Sequence, residues 1–143
     1  MTSPERPHGP DWFKVAVVSL AGLYFLKCAL NPHKWDLLDS FTLFVHEAGH
    51  PLFGVFGEFM GMAGGTLMQL IVPAAFIVSF LRQGQPFSST LMWFWLGNSL
   101  LYCSVYSGDA QAQALPLFGA GDRIHDWNYM LGSLNMLWAT PLV

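Results

Sequence analysis

Runs of apolar residues, each about the length of a membrane-spanning helix, alternate along the chain with short polar turns. The first run, Trp12 to Leu30, covers 19 residues, close to the ~20 that a helix needs to cross a bilayer. Lys14 and Lys27 lie near its ends, where long aliphatic stems let the ammonium groups reach the interfaces. Asn31-Pro32-His33-Lys34 ends the run in a polar turn. A second run extends from Leu37 to Met60, with Asp36 or Asp39 placed to cap its start. The third, Met62 to Leu81, holds Pro73, which removes a backbone donor, and Gln69, a polar side chain that needs a partner. Arg82-Gln83-Gly84-Gln85-Pro86 is a tight polar turn, and the fourth run is Phe87 to Tyr106. Within it, Trp93 and Trp95 read as packing or lipid-facing residues. Ser107 to Asp126 is polar and rich in Gly and Ala. Trp127 to Val143, 17 residues, is apolar again and either spans or re-enters. The pattern predicts an all-α integral membrane protein, with four transmembrane helices plus a short fifth spanning or re-entrant helix. Residues 1–143 make a single membrane-embedded domain, with no internal repeat.

Composition points the same way. The chain is 53% apolar and 10% charged, against roughly a quarter charged in ordinary soluble domains. A net charge of −3 without a basic block excludes nucleic acid as an expected partner and leaves membrane lipid. Cys28 and Cys103 both fall in apolar runs and read as packed thiols. Met1 to Pro10 is polar and Pro-rich and lacks the basic-then-apolar pattern of a cleaved leader, so the first span is expected to be retained. Lys27, Lys34 and Arg82 on one side of the membrane balance Arg6, Lys14 and Arg123 on the other, and orientation stays open. The expected location is a bacterial inner or cell membrane, as a multi-pass protein.

Chemistry concentrates in the second run, at His46-Glu47-Ala48-Gly49-His50. On a helix, residues four apart stack on one face, so His46 and His50 can hold one metal ion together. Glu47 can reach a water held by that metal and take its proton. Three ionisable side chains inside an apolar helix are expensive and usually serve a function. The histidines fall roughly 15–21 Å along the helix at 1.5 Å per residue, past the midplane and toward the N-terminal side of the membrane. Gly54, Gly57 and Gly61 continue their face, and Gly57-x-x-x-Gly61 and Gly61-x-x-x-Gly65 let another backbone approach. That face suits ordinary helix packing, an extended substrate, or a homo-oligomer joined through Gly57 and Gly61. Pro51 frees the Glu47 carbonyl and should kink the helix. Asn98, at similar depth, either hydrogen-bonds a neighbouring helix or contacts a substrate carbonyl or its oxyanion.

Catalytic zinc takes three protein ligands and leaves one position open. A third histidine six residues after His50 would fall at Phe56, so that pattern fails. Glu58 lies two turns on and about 80° around the same helix, a poor position for a ligand. The depth of the histidines points to the 107–126 segment, whose candidates are His125, Asp126, Asp122 and Asp109. His125 is favoured because imidazole is the common zinc ligand and Asp126 stands where the last helix needs an N-cap. Asp126 or Asp122 could then orient its ring. His8 and His33 lie in terminal or turn positions away from the site.

His46-Glu47-Ala48-Gly49-His50 within a transmembrane helix resembles the site-2 protease family of intramembrane zinc metalloproteases. The resemblance covers about a quarter of the chain. It implies zinc as cofactor, His46 and His50 as ligands, Glu47 as general base, and a membrane-anchored or transmembrane peptide as substrate. The family's third ligand is an aspartate in a Leu-Asp-Gly or Asn-Pro-Asp-Gly motif. This chain has neither, and Gly108-Asp109-Ala110 is the nearest equivalent in position. The expected activity is therefore hydrolysis of peptide bonds within or near the membrane by a zinc metalloendopeptidase. The alternatives are a non-proteolytic metal-binding membrane protein, a degenerate homologue, or a structural membrane subunit.

Overall fold

A computed structural model describes residues 9–115 and 124–142. Every regular element among them is helical: α1 (Trp12–Leu30), α2 (Leu37–Gly54), α3 (Glu58–Arg82), α4 (Pro86–Gly108), α5 (Asp126–Ser133) and a terminal 3₁₀ helix (Leu137–Leu142). The core is the antiparallel pair α2 and α3, with α4 laid against α3. α1 rests mainly on α4, and α5 closes the end of the bundle against α3.

Local chemistry sets the helix ends. The Asp11 carboxylate accepts the Lys14 N–H at 3.3 Å and starts α1. Asp39 accepts the Asp36 N–H at 2.8 Å, so both expected capping residues work together at the start of α2. The Lys27 ammonium lies 2.6 Å from Asp36, joining the end of α1 to the start of α2, and it holds the Asp36 carboxyl below the usual carboxylate range. Pro86 opens α4 at its first turn, where a missing N–H costs nothing.

The second run does not form one helix to Met60. α2 stops at Gly54, and the chain reverses through Val55–Gly57 with φ = 109° at Gly57, a conformation that favours glycine. α3 then starts at Glu58 rather than Met62 and runs for 25 residues. The glycine positions therefore do not share a continuous face. Gly61 packs on Gly54, and a β-carbon on Gly49 would strike the Gly64 carbonyl. These small residues bring α2 and α3 of the same chain into backbone contact.

Two helices, α1 and α3, are long and apolar enough to cross a membrane. This corrects the expected four. α2 has only 18 residues and carries Asp39, His46, Glu47 and His50, while α4 is diluted by Ser, Asn, Tyr and Gly. The last segment is not a spanning helix either. α5 has eight residues, about 12 Å at 1.5 Å each, and Asn135 breaks the chain at φ = 56° before the 3₁₀ turn.

Many large apolar side chains face outward, and the interior mixes apolar residues such as Ile77, Trp95 and Leu131 with polar ones. Trp12, Phe13, Leu37, Phe44, Val55 and Phe56 are all exposed. Buried positions include Thr42, His46, Gln69, Asn98, Ser99 and Asp126. Interhelical hydrogen bonds satisfy several of them: Trp95 Nε1 donates to Thr42 Oγ1 at 3.0 Å, and Asn98 Nδ2 to Asp39 Oδ1 at 2.8 Å.

Candidate metal centre

His46 and His50 lie one turn apart on α2, with ring centroids 4.9 Å apart. Each ring has its Nδ1 tied to an acceptor. His46 Nδ1 lies 2.9 Å from Gln69 Oε1 on α3. The Gln69 amide is oriented by its other end, since Nε2 donates to the Ser99 carbonyl at 3.4 Å and to Cys103 Sγ at 2.6 Å. Its oxygen must therefore accept, and the proton of His46 is assigned to Nδ1. His50 Nδ1 donates to the Gly61 carbonyl at 2.8 Å. Both Nε2 lone pairs are thus left for a ligand, the arrangement that outer-shell acceptors give metal-binding histidines.

The lone pairs converge on Asp126. Its Oδ2 lies 2.9 Å from His46 Nε2 and 3.4 Å from His50 Nε2. In these tautomers three electron-pair donors face one another with no hydrogen between them, which a cation would relieve. Bonds of 2.0–2.1 Å in a tetrahedron place ligand atoms about 3.3 Å apart. The two separations bracket that value, and all three ligand atoms lie within 4.8 Å of one another, so His46, His50 and Asp126 form a group that could hold a metal ion. Among the described residues this is the group able to hold a metal.

Gly65 makes the site possible from below. A β-carbon there would run into the His46 imidazole, so the ring lies flat on the α3 backbone. Glu47 faces a cleft of about 100 Å³ that it shares with His46, His50 and Asp126. The cleft follows one face of α2, Asp39, Leu43, His46–Glu47 and His50, and Tyr102, Val105 and Tyr106 of α4 wall it opposite. It reaches the turn at His33–Trp35. A shallower opening on the other side of His50 is lined by Glu58, Gly61 and Met62. The site therefore opens in two directions, and the longer one leads away from the expected side.

The structure brings Asp126 rather than His125 to the two histidines. The two residues exchange the roles expected of them. His125 is the N-cap of α5, where its Nδ1 accepts the Asn128 N–H at 3.3 Å. Its Nε2 lies 3.5 Å from Asp109 Oδ2. Burial pushes the His125 pKa down, against the opposing pull of Asp109 and Asp126. Asp109 also accepts the N–H groups of Ala114 and Leu115, both at 2.9 Å, and so shapes the loop after α4. Asp122 and His8 lie outside the described residues. Asn98 does not line the cleft and is bonded to Asp39. Glu58 is on α3, not α2, and stands at the second opening. His33 lines the far end of the cleft.

Sequence reasoning marked Gln69 as needing a partner without finding that partner, and it missed Tyr106. The signal for Tyr106 was the i, i+4 stripe Asn98–Tyr102–Tyr106 on α4, polar positions on one face of an apolar helix. Comparison of the chain with family models, with curated proteins and with solved structures returns no match.

Proposed function

We propose that this chain is a membrane-embedded zinc metallopeptidase of the site-2 protease type, hydrolysing peptide bonds within or near the membrane. The observation that carries the reading is the convergence of His46 Nε2, His50 Nε2 and Asp126 Oδ2 beside Glu47 at one end of a cleft. His46, His50 and Asp126 would hold the ion. When bound, zinc brings the pKa of water toward about 7 and polarises a carbonyl. Glu47 takes the proton of the attacking water and passes it to the leaving amine. Gln69 and the Gly61 carbonyl hold the two imidazoles in register, while Leu43 and Val105 give the cleft apolar walls.

The cleft supports an extended substrate. Asp39 to His50 spans about 16 Å of helix at 1.5 Å per residue, the length of roughly five extended residues. The apolar exterior and the span-length helices α1 and α3 support a bilayer around the bundle. A polar face on α2 is tolerated there because it turns inward.

Metal analysis of the purified full chain in detergent tests this. One zinc per chain is expected. Asp126→Ala should lose it, and His125→Ala should keep it. Glu47→Gln should keep the metal and lose cleavage of a membrane-anchored peptide. Cleavage that persists in Glu47→Gln would sink the peptidase reading. Stoichiometric zinc without any cleavage would leave a metal-binding membrane protein.

A further inference from the structure

Tyr106 lines the cleft together with His46, Glu47, His50 and Asp126. Its ring is fixed from two sides. The His125 imidazole packs on it with centroids 4.2 Å apart and planes at 30°, and His46 meets it edge-on at 6.0 Å. The phenolic oxygen accepts the backbone N–H of Asp126 at 3.3 Å. A phenol has one O–H donor as well as acceptor lone pairs. The bond from Asp126 uses a lone pair, and no acceptor for the O–H is found among the described residues.

The groups that converge at the metal position, with Glu47 beside them, are of the opposite kind. His46 Nε2, His50 Nε2 and the carboxylates of Asp126 and Glu47 offer electron pairs. Attack of water on a peptide carbonyl builds negative charge on the carbonyl oxygen, and that oxygen needs donors placed in advance. We propose that Tyr106 is a catalytic residue that donates its phenolic hydrogen bond to this oxygen. The inference rests on the zinc peptidase reading above. The phenol keeps its proton throughout, so the proton cycle still runs through Glu47 alone. Two features of the fold acquire a purpose. His125 is buried as the platform that sets the ring, and the backbone amide of Asp126, the residue whose carboxylate faces the two histidines, fixes the oxygen.

The test uses the full chain in detergent, loaded with cobalt(II), whose visible absorption reports both metal uptake and ligand binding. The probes are a phosphinate analogue of a Leu-Leu peptide bond, which carries the tetrahedral oxyanion, and the planar acetyl-Leu-Leu-amide. In Tyr106→Phe, cobalt affinity should stay within about threefold and binding of the planar peptide should be nearly unchanged. Phosphinate binding should weaken by about 10- to 100-fold, the range for a hydrogen bond to a charged group. Equal phosphinate affinity in both proteins would overturn the role of Tyr106 while leaving the metal site standing. A joint loss of cobalt and of both probes would overturn it too, by showing a merely structural phenol. A wild-type protein that takes up no cobalt would remove the peptidase reading and this inference together.

Discussion

Gln69 decides which nitrogen of His46 is free. Its amide is held by Ser99 and Cys103 on α4, so its oxygen faces the imidazole and keeps the proton on Nδ1. Gln69→Leu removes that acceptor with little change of volume, and the ring can then flip or change tautomer. Loss of such a partner typically costs 10- to 100-fold in metal affinity. Zinc competition against a chromogenic chelator should show a drop of about that size, with the secondary structure intact by circular dichroism. Unchanged affinity would mean that packing on Gly65 alone orients His46. At this scale the sequence is informative where the geometry is local. His46, Glu47 and His50 are within one turn, and helical spacing alone brings them together. Asp126 is 80 residues from His46. Choosing it over His125 requires knowing which of two adjacent residues faces α2, and that depends on where α5 begins. A histidine took the N-cap position, against the usual preference for Asp, Asn, Ser or Thr, and this released the aspartate for the site.

The α2–α3 hairpin is the element that builds the centre. His50 Nδ1 reaches Gly61 only because the helices touch at Gly49 and Gly64, and His46 fits only because position 65 has no side chain. Gly65→Ala therefore forces either the ring or the backbone to move. Overpacking of this kind costs about 1–3 kcal/mol. The expected result is a lower unfolding temperature in detergent together with loss of zinc, whereas Gly54→Ala, whose added β-carbon would meet nothing within 4 Å, should change both far less. Equal behaviour of the two variants would mean that the hairpin is looser than its glycines imply. The glycines were visible in the sequence and their partner was not. Apolar residues and glycine continue from Leu52 to Gly57 and the first charge comes only at Glu58, so nothing in hydrophobicity marks the reversal at Val55–Gly57. A glycine in a left-handed turn and a glycine at a helix contact look identical in one dimension. The other helix limits were easier, because Asp11, Asp36 and Pro86 are local stop and start signals.

For the whole molecule, the arrangement of surface and interior is the feature that bears on the proposed bilayer setting. Apolar side chains cover the outside of α1 to α3, while the buried seam between α2, α3 and α4 is hydrogen-bonded. Large contiguous apolar patches are rare on soluble monomers, and α1 and α3 are long and apolar enough to cross a bilayer. If α1 to α4 all cross, alternate turns must face opposite sides of the membrane. His33 and Gln85 then share one side, and Phe56 and Gln113 share the other. Single cysteines at these four positions, in a chain with Cys28 and Cys103 replaced by Ser, report this directly with a membrane-impermeant maleimide on intact cells. Labelling of one pair before lysis and of the other only after it is expected. Labelling of both pairs from one side would mean that α2 and α3 enter and leave as a re-entrant hairpin, with α1 as the anchor. The result also fixes which compartment feeds the cleft. Its long arm ends at His33–Trp35, so the side on which residue 33 is labelled is the side from which an extended segment would reach Glu47.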